Sequence, residues 1–215
     1  HVDAIMPQIY QGYDGTAVKH VMERVTLWRA ALDERRAAAE LVPILLVRYA
    51  GAAVFNSPAR VRQQIIATLA AGADGFLLYF PANMDAPYWQ MLRDTTREIA
   101  MFEAFYHDGK RVEGEFLPLG MPGGAKSLHQ YPDHLVTVED PDWAYTAHVL
   151  HDRYLLTVFN LHDDEELTFT FALDEDWQVD AVYGGVSGIL GEWKVGPQDI
   201  GLVLLSQPSP RGRNE

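Results

Sequence analysis

The chain has 215 residues, a formal charge of −13, no cysteine, 48% apolar residues and 11% aromatics. That length and apolar content suffice for one large domain or two small ones with real cores, and they exclude a disordered chain. The absent cysteines exclude a disulfide framework, a thiolate metal site and a cysteine nucleophile, and the acidic balance disfavours a surface that tracks nucleic-acid phosphates.

The chain opens His1-Val2-Asp3, already in strand-like sequence and without an initiator methionine or leader, so it reads as a piece of a longer polypeptide. Residues 2–10 form a buried-strand pattern closed by Gln11-Gly12-Tyr13-Asp14-Gly15. Thr16 can cap a helix over about 17–40, with Val18, Val21, Met22, Val25, Trp28 and Leu32 at spacings of three and four. A second strand is expected over 41–49, entered through Pro43 at an edge or first-residue position. Asn56-Ser57-Pro58 is a helix start, and Gly72 is the matching stop near residue 71. A third strand follows over 75–80. Pro87 opens a last helix over about 88–105, whose Trp89, Leu92, Ile99 and Phe102 suggest a core face.

From residue 111 the texture changes. Eleven basic and 12 acidic residues precede that point, whereas 6 basic oppose 18 acidic after it. Alternating strands are expected at 134–138, 144–150, 154–161, 167–173, 177–183, 191–195 and 200–205, with a hairpin-like turn at His162-Asp163-Asp164-Glu165-Glu166. Seven short strands at this spacing suggest a β-sandwich. The expected division is residues 1–108, residues 109–207 and a flexible tail, 208–215. No apolar run approaches the roughly 20 residues that cross a bilayer, so no membrane span is expected.

The first part reads β-α-β-α-β-α, which implies parallel strands with crossover helices. Three strands fit either an open three-layer sheet or the final three units of an eightfold barrel, and the strand at the chain start and the β-rich part after the last helix favour the barrel. The fold class is therefore α/β plus all-β: the C-terminal part of a (β/α)8 barrel followed by an antiparallel β-sandwich. Chemistry in parallel α/β folds sits at the carboxyl ends of strands. That rule selects Gln8, Tyr10, Gln11, Tyr13 and Asp14 after the first strand, Arg48 and Tyr49 after the second, and Tyr79, Asn83 and Asp85 after the third. These planar polar and aromatic groups suit stacking on sugar rings and binding hydroxyls. Each has a plainer reading: Tyr10 and Tyr79 as end packing, Arg48 as half of a structural ion pair, Asp14 as a turn residue, and Asp85 as a helix start.

Other patterns are weaker. The acidic run 163–166 resembles a solvated turn more than a calcium loop, and His107, His129, His134, His148, His151 and His162 lack metal-ligand spacing. Gly120 to Gly124 lacks the lysine of a phosphate loop, and there is no G-x-S-x-G or G-x-G-x-x-G. No cofactor is expected.

Val2-Asp3-Ala4-Ile5-Met6-Pro7-Gln8-Ile9-Tyr10 resembles the sixth-strand V-D-x-x-x-P-Q-x-Y pattern of glycoside-hydrolase-like TIM barrels. Gly72-Ala73-Asp74-Gly75 through Phe80 resembles their last strand. The resemblance covers residues 1–105, and the sandwich only by architecture. It implies a hydrolase acting on O-glycosidic bonds of a poly- or oligosaccharide, with Gln8, Tyr10, Tyr13, Arg48 and Tyr79 meeting carbohydrate. Asp14 is the one local candidate for a direct catalytic part. Such enzymes carry an acid or base at the end of the fourth strand, which would lie before His1. The general acid is therefore expected in the remainder of the barrel, from the same or another chain; the sequence does not fix the compartment, a secreted or periplasmic one being slightly favoured. The alternative is a non-catalytic carbohydrate-binding protein on a barrel-like scaffold, with Trp143, Trp177 and Trp193 either an exposed aromatic platform or core. A third reading is a structural domain without ligand.

Overall fold

The computed structural model describes residues 2–9, 15–47, 56–79, 84–112, 118–119, 126–131, 134–139, 142–171, 177–189 and 192–206. The chain divides into two compact units: residues 1–107 with 126–138, and residues 108–125 with 139–215.

The first unit is built on parallel strands. The first strand segment is interrupted at Pro7 into β1 (Ala4–Ile5) and β2 (Gln8–Ile9), and the second at Pro43 into β3 (Glu40–Leu41) and β4 (Ile44–Leu46). A proline cannot donate to a ladder, so each interruption is local. The register survives it, because the amides of Glu40, Val42 and Ile44 donate in turn to the carbonyls of Asp3, Ile5 and Pro7. Strand β5 (Leu77–Tyr79) pairs on the other side of β4. The order is thus sequential, with the strand after Pro43 in the middle rather than at an edge.

Helix α1 (Gly15–Glu34) ends six residues before the expected stop. Arg36 takes φ 51°, and the amides of Arg36 and Ala37 return to the carbonyls of Asp33 and Leu32. This is a left-handed helix closure made without glycine. Helix α2 (Pro58–Ala70) begins as expected, with the Ser57 hydroxyl accepting the Arg60 amide at 3.1 Å. It closes through Gly72, whose φ of 101° disfavours a side chain, and whose amide, with that of Ala73, binds back to Leu69 and Thr68. Helix α3 (Ala86–His107) completes the alternation.

All three helices contribute to one core against one sheet face. Val21, Val25 and Leu32 of α1, Val61 and Ile65 of α2, and Leu92 and Ile99 of α3 pack with Ile5, Ile9, Leu41, Leu45 and Leu78. Strand alternation puts Met6, Gln8, Ile44, Leu46, Leu77 and Tyr79 on the opposite face. There the outer strands are exposed, Met6 54%, Leu77 44%, Tyr79 40% and Gln8 too, whereas Leu46 of the middle strand is buried. The exposed large apolar residues of this unit follow a pattern. Val2, Met6, Leu27 and Trp28 lie along one outer strand and helix, and Leu77, Tyr79, Trp89 and Met101 along the other. None lies on the middle elements β3, β4 or α2. Trp28 and Trp89, read from spacing as core residues, are therefore corrected to exposed positions.

In the second unit β6 (Lys110–Arg111), β10 (Trp143–Leu150), β11 (Arg153–Asn160), β13 (Gln178–Gly184) and β16 (Ile200–Ser206) form a five-stranded antiparallel sheet, ordered β13-β16-β11-β10-β6. A four-stranded sheet is ordered β14-β15-β12-β7, from β7 (Pro118–Leu119), β12 (Leu167–Phe171), β14 (Val186–Ile189) and β15 (Glu192–Val195). Strands β8 (Lys126–Tyr131) and β9 (His134–Glu139) pair with each other. One core joins the two larger sheets: Ala147, Leu156, Val158, Val203 and Leu205 from the first, and Leu167, Phe169, Phe171, Trp193 and Val195 from the second.

Trp193 stacks on Phe169 inside this core, and Trp143 and Trp177 are half-buried against it. The exposed tryptophan platform is thereby excluded. The turn at 162–166 is a second correction. Strands β11 and β12 belong to different sheets, so this segment crosses between sheets instead of closing a hairpin. Asn160 holds the crossing: its Nδ2 donates to the carbonyls of Glu165, Val195 and Gly196 at 2.8–3.0 Å, and its Oδ1 accepts the His162 amide.

Candidate functional site

The carboxyl ends of β2, β4 and β5 are the end of the sheet at which parallel α/β folds place their chemistry. Gln8, Tyr79 and Asp85 are the sequence-selected residues that fall within the described structure. Register pairs Gln8 with Ile44 and Ile44 with Leu77, and Tyr79 lies two residues beyond Leu77, so the side chains of Gln8 and Tyr79 stand on the face opposite the helices. Tyr10, Gln11, Tyr13, Asp14, Arg48, Tyr49 and Asn83 lie outside the described residues. Asp85 is described and exposed. Its carbonyl accepts the Trp89 amide at 3.2 Å, which makes it the start of α3.

Asn56, which the sequence reading treated only as part of a helix start, has a larger part. The side chain is fully buried, and its Nδ2 donates to the carbonyl of Leu46, the last residue of β4, at 3.0 Å. Its backbone carbonyl accepts the Tyr88 hydroxyl at 2.5 Å from the first turn of α3. The Asn56 Oδ1 finds no donor among the described residues. Beside Tyr88, the indole N–H of Trp89 donates to the carbonyl of Met84 at 3.1 Å, and Met84 is buried in the helix-side core. A run of hydrogen bonds thus ties the end of β4 to the starts of α2 and α3. Asn before Ser-Pro was the available signal, but a polar residue ahead of a cap normally faces water.

Further along α2, Arg60 is buried and donates to the Gln63 Oε1 at 2.7 Å. On α1 the imidazole of His20 is held below its ordinary pKa, first by burial and then by the positive charge of Arg24.

The opposite end of the sheet is built for a different purpose. The Asp74 carboxylate accepts the Leu41 amide at 2.7 Å and an N–H of Arg29, while the Asp74 amide returns to the Leu41 carbonyl at 2.9 Å. Arg29 Nε donates to the Gly72 carbonyl at 2.8 Å. The acidic run at 163–166 is divided among separate partners: Asp163 accepts from Gln198, and Glu166 pairs with Lys194 at 3.1 Å. Among the described residues no three His, Asp or Glu side chains converge as a metal site, and no helix is long and apolar enough to cross a membrane.

Neither a protein-family model nor a curated protein sequence matches the chain. Among solved structures, Eubacterium rectale Amy13B aligns with 90% of this chain and 44% of its own, at 9% identity and a TM-score of 0.54. A GH30 endoxylanase from Clostridium papyrosolvens C71 aligns over 94% and 49%, at 10% identity and a TM-score of 0.46. An Anoxybacillus alpha-amylase assigned to a new glycosyl hydrolase subclass aligns over 96% and 53%, at 9% identity and a TM-score of 0.44. The chain spans about half the length of these structures. At such identities the likeness is one of fold alone.

Proposed function

We propose that these residues are the C-terminal part of a glycoside hydrolase acting on O-glycosidic bonds of a poly- or oligosaccharide. Residues 1–108 would be the last three βα units of a (β/α)8 barrel, and residues 109–207 a β-sandwich. The observation behind this reading is the sheet face opposite the helices, on which Met6, Gln8, Leu77 and Tyr79 of the outer strands are exposed and Leu46 of the middle strand is buried. A doubly wound sheet reverses its strand order at a switch point and carries helices on both faces. Strands that advance in one direction, with every crossover on one side, instead support a barrel arc whose inner face is open. The exposed apolar residues of the outer helices, Leu27 and Trp28 on α1 and Trp89 and Met101 on α3, support further units on each flank, since patches of this kind mark surfaces that something covers.

In this reading Gln8, Tyr10, Tyr13, Arg48 and Tyr79 contact sugar hydroxyls and ring faces. A carboxylic acid from the rest of the barrel protonates the glycosidic oxygen, and a second carboxylate or the substrate itself stabilises the oxocarbenium-like transition state. In this reading Asp14 is the local carboxylate that takes a direct part. The test compares the 215-residue chain with the same chain extended upstream through its reading frame. Reducing ends should appear from starch, xylan or β-glucan with the extended form alone, and Tyr10→Ala or Asp14→Asn should abolish the release. An extension that encodes no preceding βα units, or that releases no sugar from any glycan, overturns the reading.

A further inference from the structure

We propose that His162 is a pH-operated latch on the crossing between the two larger sheets of the second unit: neutral, it holds the turn amides, and protonated, it holds the Asp164 carboxylate instead. The latch requires nothing of the proposed sugar chemistry.

His162 lies two residues beyond β11, with its side chain 29% exposed. Its Nδ1 is 3.1 Å from the Glu165 amide nitrogen and 3.4 Å from that of Asp164, and both amides donate to it. The same Nδ1 lies 2.9 Å from Asp164 Oδ1. An amide can only donate, so its bond needs a bare lone pair on Nδ1, whereas a carboxylate can only accept, so its bond needs a proton there. No one protonation state satisfies both, and a histidine side chain changes charge between about pH 5 and 8. The neutral ring with its proton on Nε2 accepts the two amides and sets a lone pair against the carboxylate. The imidazolium donates to the carboxylate in a charge-assisted bond and releases the amides to solvent. Nε2 keeps its proton in both states, with Glu165 Oε2 at 3.8 Å. The other charged groups along the crossing and the segments bonded to it have partners of their own. Asp163 accepts from Gln198, Glu166 pairs with Lys194 of β15, and Asp199 accepts the Ile200 amide. Asp142 meets the crossing through its main-chain carbonyl, which accepts the Leu161 amide. Fixed points confine the change. Asn160 binds the His162 amide and the Glu165 carbonyl, and the His162 carbonyl accepts the Gln198 amide at 2.9 Å. Protonation therefore frees the Asp164 and Glu165 amides while the crossing stays anchored on either side of them.

The test is an NMR titration, between about pH 8 and 5, of the full-length polypeptide carrying these residues, isotopically labelled at its backbone and imidazole nitrogens. Above the imidazole midpoint the ring nitrogens of His162 should report the Nε2–H tautomer. As pH falls through that midpoint, solvent exchange of the Glu165 amide, corrected for its intrinsic pH dependence, should rise about fivefold, the equivalent of one lost hydrogen bond. The Leu161 and Gln198 amides should stay protected throughout. His162→Gln keeps an acceptor for the amides and cannot titrate, so it should abolish the rise. A neutral ring that carries its proton on Nδ1 means that Asp164 holds it at every pH, and overturns the latch without recourse to any variant. Corrected Glu165 exchange that is equal on both sides of the midpoint overturns it too, and so does a rise that persists in His162→Gln.

Discussion

Asp74 is the clearest place to test how the first unit is held together. Its carboxylate accepts the Leu41 amide at 2.7 Å, and Leu41 is fully buried, so truncation leaves a buried N–H without an acceptor. Losing a charged acceptor there costs about 1–3 kcal/mol. The ion pair with Arg29 is about a quarter to a third exposed, and solvent screening limits its share to at most about 1 kcal/mol. Asp74→Ala should therefore destabilise the unit by about 1–4 kcal/mol. Asp74→Asn keeps an oxygen for the Leu41 amide and forfeits only charge, so its cost should stay near 1 kcal/mol. Urea unfolding followed by amide exchange at Leu41 reads both, with an unchanged denaturant slope as the check that the unfolded state is unaltered. If the two variants lose equal stability, or if both lose less than about 0.5 kcal/mol, the carboxylate-to-amide bond is not what secures β3 to β5.

Three other outcomes are expected. Gly201→Ala places a methyl group 2.5 Å from Val186 Cγ2 and 2.8 Å from Val195 Cγ2, so thermal unfolding should show a loss of about 1–3 kcal/mol. Asn160→Ala should cost about 2–4 kcal/mol by releasing three carbonyls and the His162 amide, and Asn160→Asp, equal in shape, should cost as much because an oxygen would face those carbonyls. His20, with its pKa lowered by burial and then by Arg24, resists protonation in the folded state. The unfolded state then binds more protons below about pH 6.5, so this contribution to stability is complete above that pH and is lost as pH falls. His20→Gln should flatten the dependence between about pH 5 and 7, and an NMR titration should place the His20 midpoint below its ordinary value.

What spacing and punctuation could reveal was local. The three-and-four pattern of Val18, Val21, Val25 and Leu32 marked the buried side of α1, and Ser57-Pro58 marked the start of α2, because each depends on neighbours in sequence. The end of α1 was missed because Arg36 fills a position where glycine is the usual signal. Trp89 sits three residues before Leu92, on the margin of the apolar stripe, where coverage depends on a neighbouring element and not on spacing. Strands β6 and β7 have two residues each, too few to show any period. The crossing at 162–166 resembled a hairpin because turn residues look alike whether a chain returns to its own sheet or passes to another. Only Asn160, bonded to carbonyls 35 and 36 residues away, distinguishes the two.

The segment Gly72-Ala73-Asp74-Gly75 contributed much of the resemblance to glycosidase barrels, yet its polar contacts lie at the amino end of the strands. Gly72 closes α2 in a conformation that disfavours a side chain, and Asp74 joins Arg29 of α1 to the Leu41 amide. These are requirements of any sheet in which a helix must turn back into a strand at this spacing, and they say nothing of the substrate. At the other end, Asn56 and Tyr88 set the starts of α2 and α3, while Gln8, Tyr79 and Trp89 are left exposed. A sequence motif therefore identifies the scaffold first, because turns, hooks and buried amides restrict which residue can stand there.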